Sequence, residues 1–223
     1  MSINRIFVTS DTHISHERII EYCNRPFNSV VDMDQALFNS WNETVNDSDI
    51  VLHMGDFSIK SKPEALVAPV RAKIEALKGR KVLVRGNHDK DKMVKWLESL
   101  GWVVVHNIEI KNMIMFAHKY MDHTEEYGKF GRYLLHGHAH GTLGPNTDLR
   151  IDCGVDILGF KPTDIHSLIS EEAYSVVSSV VADLIADKNG CLGVIFNTVV
   201  MCGEMYGDHP QYCSKRCMNA ATK

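Results

Sequence analysis

Five short apolar runs in this chain each end on residues able to hold a metal ion. Residues 5–10 (RIFVTS) run into Asp11-Thr12-His13, residues 49–53 into Gly55-Asp56, and residues 81–84 into Gly86-Asn87-His88-Asp89. Residues 112–117 stop at His118, and residues 133–135 feed His136-Gly137-His138-Ala139-His140. Carboxylates, imidazoles and one amide oxygen form a mixed oxygen and nitrogen set suited to manganese, iron, zinc or nickel. Asp11, His13, Asp56, Asn87, His118, His138 and His140 make seven candidates, more than a single ion takes. Two ions sharing one bridging carboxylate account for that number. Ions about 3.5–4 Å apart can clamp both the attacking and the leaving oxygen of a phosphoryl displacement. In Asp11-x-His13 and His138-x-His140 the spacing of two puts both side chains on one side of an extended backbone. Each motif alone is common in unrelated proteins; the ordered set, each at a strand exit, carries the signal.

The elements that must position these residues alternate. After the first strand, Ser15 is expected to cap a helix through Ile19, Ile20 and Cys23. A second helix is expected from Asp32 or Asp34 through Leu37, Phe38, Trp41 and Val45. Pro63 suits the first turn of a helix carrying Leu66, Val70, Ile74 and Leu77, with Gly79 beyond its end. Met93, Trp96, Leu97 and Leu100 mark a fourth helix, and residues 102–110 read as one strand. Strand and helix alternating, then strands in succession, predicts a parallel sheet continued by antiparallel strands. In such a sheet ligands bind outside the carboxyl ends of the strands. Gly86 there allows a close backbone approach, although Gly, Asn and Asp are also ordinary turn formers.

Composition sets the outer bounds. The chain has 223 residues, 44% hydrophobic and 23% charged, enough for one large domain and a small appendage. A net charge of -4 supplies no basic field for tight non-specific nucleic-acid binding. No apolar run is long enough to span a membrane, and the N-terminus lacks a signal peptide's apolar region, so a cytoplasmic protein is expected. Of twelve histidines, six fall between His106 and His140. Without a secretory signal, clustered cysteines point to metal before disulfide.

The ordered blocks Asp11-Thr12-His13, Gly55-Asp56, Gly86-Asn87-His88-Asp89, His118 and Gly137-His138-Ala139-His140 resemble the calcineurin-like metallophosphoesterase family over roughly residues 1–168. The start of the chain is most similar to the small stand-alone bacterial and phage phosphoesterases, with His16 and Ile19-Ile20 close by. The resemblance implies a four-layer α/β/β/α sandwich with a two-metal site at the sheet edge, manganese being the first choice of metal. It implies that Asp11, His13 and His140 hold one ion, that Asn87, His118 and His138 hold the other, and that Asp56 bridges them. A water or hydroxide between the metals would then attack phosphorus. His88 would face the leaving group as general acid, or stabilise charge on the phosphoryl oxygens. An imidazole suits proton delivery because it titrates near neutral pH. The expected activity is hydrolysis of a phosphodiester or phosphomonoester.

Several neighbours are open to two readings. Asp89 either orients His88 or caps the helix that follows. Arg85 either contacts phosphate or pairs with a carboxylate, and His16 either lies near substrate or is merely exposed. His53, His136, Asp152 and Asp156 either orient ligands or are simply buried; Cys153 reads as a small core hydrophobe. The run after Asp56 lacks the Gly-Asp-x-Val-Asp-Arg-Gly pattern of the protein Ser/Thr phosphatases. Lys119-Tyr120-Met121 also departs from the His-Tyr-Pro common in the small phosphoesterases.

Ser170 caps an expected helix whose apolar stripe runs from Ala173 to Ile185 and ends at Asn189-Gly190. It reads as a connecting segment (169–190) whose stripe packs on the domain or on another copy. Four of the six cysteines lie in residues 191–223, a separate small module. Its spacing resembles a short zinc finger whose first knuckle is incomplete. Cys202, His209, Cys213 and Cys217 would make a four-ligand structural zinc site, with a decayed finger or free thiols as alternatives. That module is the one sequence feature favouring a nuclease over a small-substrate phosphoesterase. A non-catalytic scaffold of the same fold is the third reading, disfavoured because every ligand position is intact.

Overall fold

The computed structural model describes residues 5–110, 113–119 and 133–186, and the backbone of three short strands beyond them. Strands β1 (Ile6–Thr9), β2 (Ile50–His53), β3 (Arg80–Val84) and β4 (Val103–Val105) form a parallel sheet. The antiparallel β9 (Thr163–Asp164) extends it in the order β4-β3-β2-β1-β9. A second sheet has the order β10-β5-β6-β7-β8, built from Asn107–Ile110 (β5), Ile114–Ala117 (β6), Tyr133–His136 (β7), Arg150–Asp152 (β8) and Thr198–Met201 (β10). β5 pairs antiparallel with β6 and β10, while β6, β7 and β8 run parallel.

The apolar runs are continuous because both faces of the parallel sheet are covered. Period two then sorts the side chains. Ile6, Val8, Ile50, Leu52, Val82 and Val84 enter the core that also takes Ile108, Ile114, Phe116, Leu135 and Ile151 of the second sheet. Phe7, Val51 and Leu83 point the other way, into a core shared with helices α2 (Val30–Thr44), α3 (Ala68–Glu75) and α4 (Asp91–Ser99). The result is the α/β sandwich of two facing sheets flanked by helices that the resemblance implies.

Four expectations are revised. The helix expected from Pro63 starts only at Ala68, with Pro69 in its first turn; Pro63–Ala65 is a separate 3-10 turn, and Leu66 and Val67 are extended between them. Residues 102–110 are two strands in different sheets: β4 closes one edge of the first, and β5 begins the second after the single residue His106. Val105 and Ile108 both enter the inter-sheet core, so the apolar pattern runs through the fold-over unchanged. Ser15 does not cap a helix; it has φ 63°, and its N–H donates to Asp34 Oδ1 at 3.0 Å. The first helix, α1, covers only Arg18–Tyr22. The second starts earlier than Asp32, because Ser29 Oγ accepts from the Asp32 N–H at 3.1 Å and so caps Val30 onward.

A short helix, α5 (Val155–Leu158), ends at Gly159 in the left-handed region at φ 73°. Helix α6 (Glu171–Ala186) follows Ser170, whose Oγ accepts from the Ala173 N–H. Ala173, Val177, Val181 and Leu184 of α6 are buried in the same core as the two sheets, so the stripe packs on the domain. Strand β10 returns to pair with β5. Cys202, Cys213 and Cys217 lie outside the described residues, and His209 is described only through the backbone of strand His209–Pro210, paired to Met205–Tyr206. No helix among the described residues is long and apolar enough to cross a membrane.

Candidate metal centre

The C-terminal ends of β1, β2, β3, β6 and β7 converge, and the loops leaving them bring two groups of ligand atoms together. Asp11, His13 and His140 form one group; Asp56, His118 and His138 form the other. Within each group the ligand atoms lie within 4.8 Å of one another. Asp56 Oδ2 stands between the groups, 3.8 Å from His13 Nε2 and 3.3 Å from His118 Nε2. Asn87 Oδ1 is 3.1 Å from His118 Nε2, on the second group's side. All seven candidates therefore share one site, with Asp56 central to it.

The donors are arranged as ligands are. His13 is buried, and neither ring nitrogen has a hydrogen-bond partner in the protein. An orphaned imidazole enclosed by carboxylates and other imidazoles fits a cation between them. His118 places Nδ1 2.7 Å from the Met54 carbonyl, which assigns its proton there and leaves Nε2 free to ligate. His140 likewise sets Nδ1 2.7 Å from Asp156 Oδ2 and turns Nε2 toward Asp11 Oδ1 at 3.9 Å. Cys23 joins His140 and Asp156 in a third grouping behind the site.

Electrostatics agree with this. Burial pushes Asp11 up to about 6, against the pull of His118 and His140. Burial also disfavours charge on Asp56, but hydrogen bonding and attraction from His118, and the His88 N–H, hold it below the usual carboxylate range. Burial keeps His13 neutral. For His140 burial opposes the charge, yet the bonds to Asp156 and Cys23 raise it to about 10. Burial opposes charge on His118 too, yet its bond to Asp56 raises it, so metal ions bound here would take the place of the inward protons of His118 and His140 and balance the buried carboxylates.

The backbone at Asp11-x-His13 and His138-x-His140 is left-handed, not the extended chain that the spacing of two suggests. Asp11 (φ 55°), His13 (49°), Asp56 (55°), His138 (68°) and His140 (48°) all lie in the left-handed region. Non-glycine residues there cost on the order of 1–2 kcal/mol each, and they gather where a site demands the geometry. The glycines beside them make room. A Cβ on Gly86 would lie 2.3 Å from Asp56 Oδ1, and one on Gly137 would lie 2.0 Å from Ser10 Oγ.

Three residues tie the loops to one another. Asp89 neither orients the His88 ring nor caps α4: the Lys90 cap position has no side-chain bond. Its buried carboxylate accepts from the N–H groups of Asp56 (2.9 Å), Phe57 (2.9 Å) and Gly86 (2.8 Å), latching the third loop onto the second. His53 Nδ1 accepts from the Gly55 N–H, so Nε2 carries the proton and donates to Thr12 Oγ1, which donates to the Phe57 carbonyl. Burial depresses His53 to about 3, which keeps this relay neutral. Arg25, absent from any motif, is buried beneath the first loop. Its guanidinium donates to both oxygens of Asp156 and to the carbonyls of Asp11 and Thr12.

Other candidates divide by place. His88 Nε2 lies 3.9 Å from Asp56 Oδ2, its side chain 39% exposed, so it faces the ligand cluster from the open side. The His16 ring centroid lies 5.5 Å from that of His13, the two planes tilted by 56°. Arg85 turns away: Nε donates to the Asp89 carbonyl at 2.9 Å and Nη2 to Asp91. Asp152 accepts from the Gly141 and Gly154 N–H groups, and His136 is buried with Nδ1 against the Gly137 carbonyl. Cys153 is a fully buried core residue.

Comparison with known proteins agrees with this geometry. The chain is 32% identical over 179 residues to the uncharacterized protein MJ1445 of Methanocaldococcus jannaschii, covering 76% of this chain and 92% of that one. It is 26% identical over 200 residues to the Gene 66 protein of Mycobacterium phage L5, covering 75% and 95%. Among solved structures, protein AQ665 of Aquifex aeolicus superposes with a TM-score of 0.54 at 24% identity, covering 78% of this chain and 99% of that one; it shares the fold. The family model for calcineurin-like phosphoesterases matches residues 4–196, which span the five loops and α6. The chain belongs to the calcineurin-like phosphoesterase family.

Proposed function

We propose that the protein is a phosphoesterase that uses two divalent metal ions, manganese first among them, to hydrolyse a phosphodiester or phosphomonoester. The observation that carries this is the pair of ligand groups meeting at Asp56, with the buried His13 imidazole unpartnered between carboxylates. Asp11, His13 and His140 would hold one ion, Asn87, His118 and His138 the other, and Asp56 would reach both. When bound, the pair supplies Lewis acidity, both to a phosphoryl oxygen and toward making water nucleophilic at neutral pH.

The chain's own groups do the rest. Asp156 and the Met54 carbonyl hold the protons on the far nitrogens of His140 and His118, so the near nitrogens stay aimed inward. Asp89 and Arg25 fix the loops so that little reorganisation accompanies the reaction. His88, on the open side, delivers a proton to the departing oxygen, a role worth about 10²–10⁴-fold for such groups.

The test is hydrolysis of bis-p-nitrophenyl phosphate and of an alkyl phosphodiester by metal-stripped protein with and without added manganese. Activity should depend on the metal. His88→Ala should keep its metal content and lose most turnover on the alkyl ester, whose leaving group needs the proton. Stripped protein that still turns over would sink the two-metal reading, and an unimpaired His88→Ala would remove the acid.

A further inference from the structure

A groove of about 650 Å³ opens beside the metal centre, between the loop 15–18, the first turns of α2, the loop after β2 and the start of α3. This is the size of a small-molecule site. His16 lines the groove and its ring centroid is 5.5 Å from that of His13, so the groove adjoins the ligand cluster. His16 Nδ1 is buried without a partner. The walls are apolar, chiefly Val30, Val31, Phe38, Val67 and Val70. Val31 is 72% exposed and Val67 64% exposed; they are two of the four large hydrophobic side chains exposed among the described residues. Apolar side chains gathered at solvent on both walls of one groove mark a surface that a ligand covers.

The polar groups in the groove narrow the class of ligand. Asp34 is engaged by the Ser15 N–H and Oγ and lies buried, leaving Arg18, Lys60 and Lys73 as the cations against the single free carboxylate of Glu17. Lys73 is occupied by Gln35 and by the face of Phe38, 5.9 Å from the ring centroid. Arg18 is exposed and Lys60 partly exposed. Apolar walls with such cations favour a flat aromatic group, whose edges pack on the valines and whose face attracts the cations.

We propose that this groove binds the organic part of the substrate, an aromatic group of phenyl to nucleobase size carried on the phosphate. The proposal rests on the phosphoesterase reading only in placing the phosphate at the metal ligands. Specificity then comes from α2 and α3, elements that contribute no ligand.

Binding of phenylphosphonate and methylphosphonate, neither of which can be hydrolysed, to the manganese-loaded full chain tests this by calorimetry. The phenyl compound should bind at least about tenfold tighter, a preference that apolar burial of one ring readily supplies. In the double variant Val31→Glu/Val67→Glu the ratio should fall close to one; both side chains are exposed, so folding is not at stake. Equal binding of the two phosphonates by the wild-type chain overturns the groove assignment, as does a variant that keeps the full preference. The phosphoesterase reading fails separately: a chain that shows the phenyl preference yet hydrolyses no ester with manganese keeps the groove and loses the reaction.

Discussion

Replacing Arg25 with Met tests the architecture behind the proposed metal ligands. The guanidinium is fully enclosed, at 0% side-chain exposure against 8% for Asp156. It makes five bonds: to Asp156 at 2.8 and 2.9 Å, to the Asp11 carbonyl at 2.7 Å, to the Thr12 carbonyl at 3.2 Å and a weak one to Met33 Sδ at 3.5 Å. Methionine keeps much of the aliphatic volume and none of the donors. Removing one partner of a buried ion pair costs about 3–5 kcal/mol. Asp156 retains its bond from His140, so the lower end applies, and two stranded carbonyls add about 1–2 kcal/mol. Arg25→Met should therefore lose about 4–5 kcal/mol. Asp156→Asn keeps an oxygen for His140 Nδ1 while removing the stranded charge. The double variant should then be about 1–2 kcal/mol more stable than the two single losses predict. Urea unfolding of metal-stripped protein, with the midpoint read at constant slope, measures all four corners of the cycle. A loss below about 1 kcal/mol for Arg25→Met, or strict additivity, would show that the clamp has no energetic weight.

Asp89→Ala strands three buried N–H donors and should cost about 3–6 kcal/mol, whereas Asp89→Asn, able to satisfy two of them with its remaining oxygen, should cost about half as much; equal urea midpoints for the two variants would refute the latch. Gly86→Ala drives a Cβ to 2.3 Å from Asp56 Oδ1 and 2.4 Å from its nitrogen, so bound manganese per chain should fall by about tenfold or more at fixed free metal, even in folded protein. Unchanged metal content in that variant would mean that Asp56 can shift without consequence. Burial raises the Asp34 carboxyl above its ordinary value of 3.8, against Ser15's hydrogen bonds and the nearby Lys73 and Lys60. The folded state therefore holds a proton that the unfolded chain has already released. Asp34's contribution to stability is full below the unfolded value and is lost as pH rises through the folded one. The stability of wild type relative to Asp34→Asn should accordingly improve as pH falls from 7 toward 4; a pH-independent difference would count against the buried, raised carboxyl.

How much of this was legible in the sequence depends on what each feature leaves there. The strand exits were visible because an apolar run that stops at Asp-x-His or Gly-Asp changes chemistry abruptly at a defined place. The helices on the outer face were visible because their apolar spacing is periodic. The division of residues 102–110 between two sheets was not, since Val105 and Ile108 enter one core and the hydrophobic pattern runs through the fold-over without a mark. Arg25 was equally silent. It lies 14 positions from Asp11 and 131 from Asp156, and nothing local distinguishes it from an exposed arginine before a proline. Asp89 sat inside a recognised motif, but its partners are backbone N–H groups on another loop, which no residue type advertises.

The conformations of the proposed ligands form the deepest part of what the chain conceals. Where φ lies near +50°, glycine is the residue that local energetics would choose, and five of the seven proposed ligands sit there with side chains. Glycine would relieve the strain and remove the ligand atom, so chemistry and backbone preference pull in opposite directions at each of these positions. Aspartate and histidine are among the non-glycine residues that tolerate this region best, which narrows the conflict without abolishing it. The strain that remains must be held by the surroundings: the Asp89 latch, the His53 relay and the Arg25 clamp each bind the backbone within two residues of a strained ligand. A substitution that weakens any of the three should thus act first on ligand geometry, lowering metal occupancy before it lowers the fraction of folded protein.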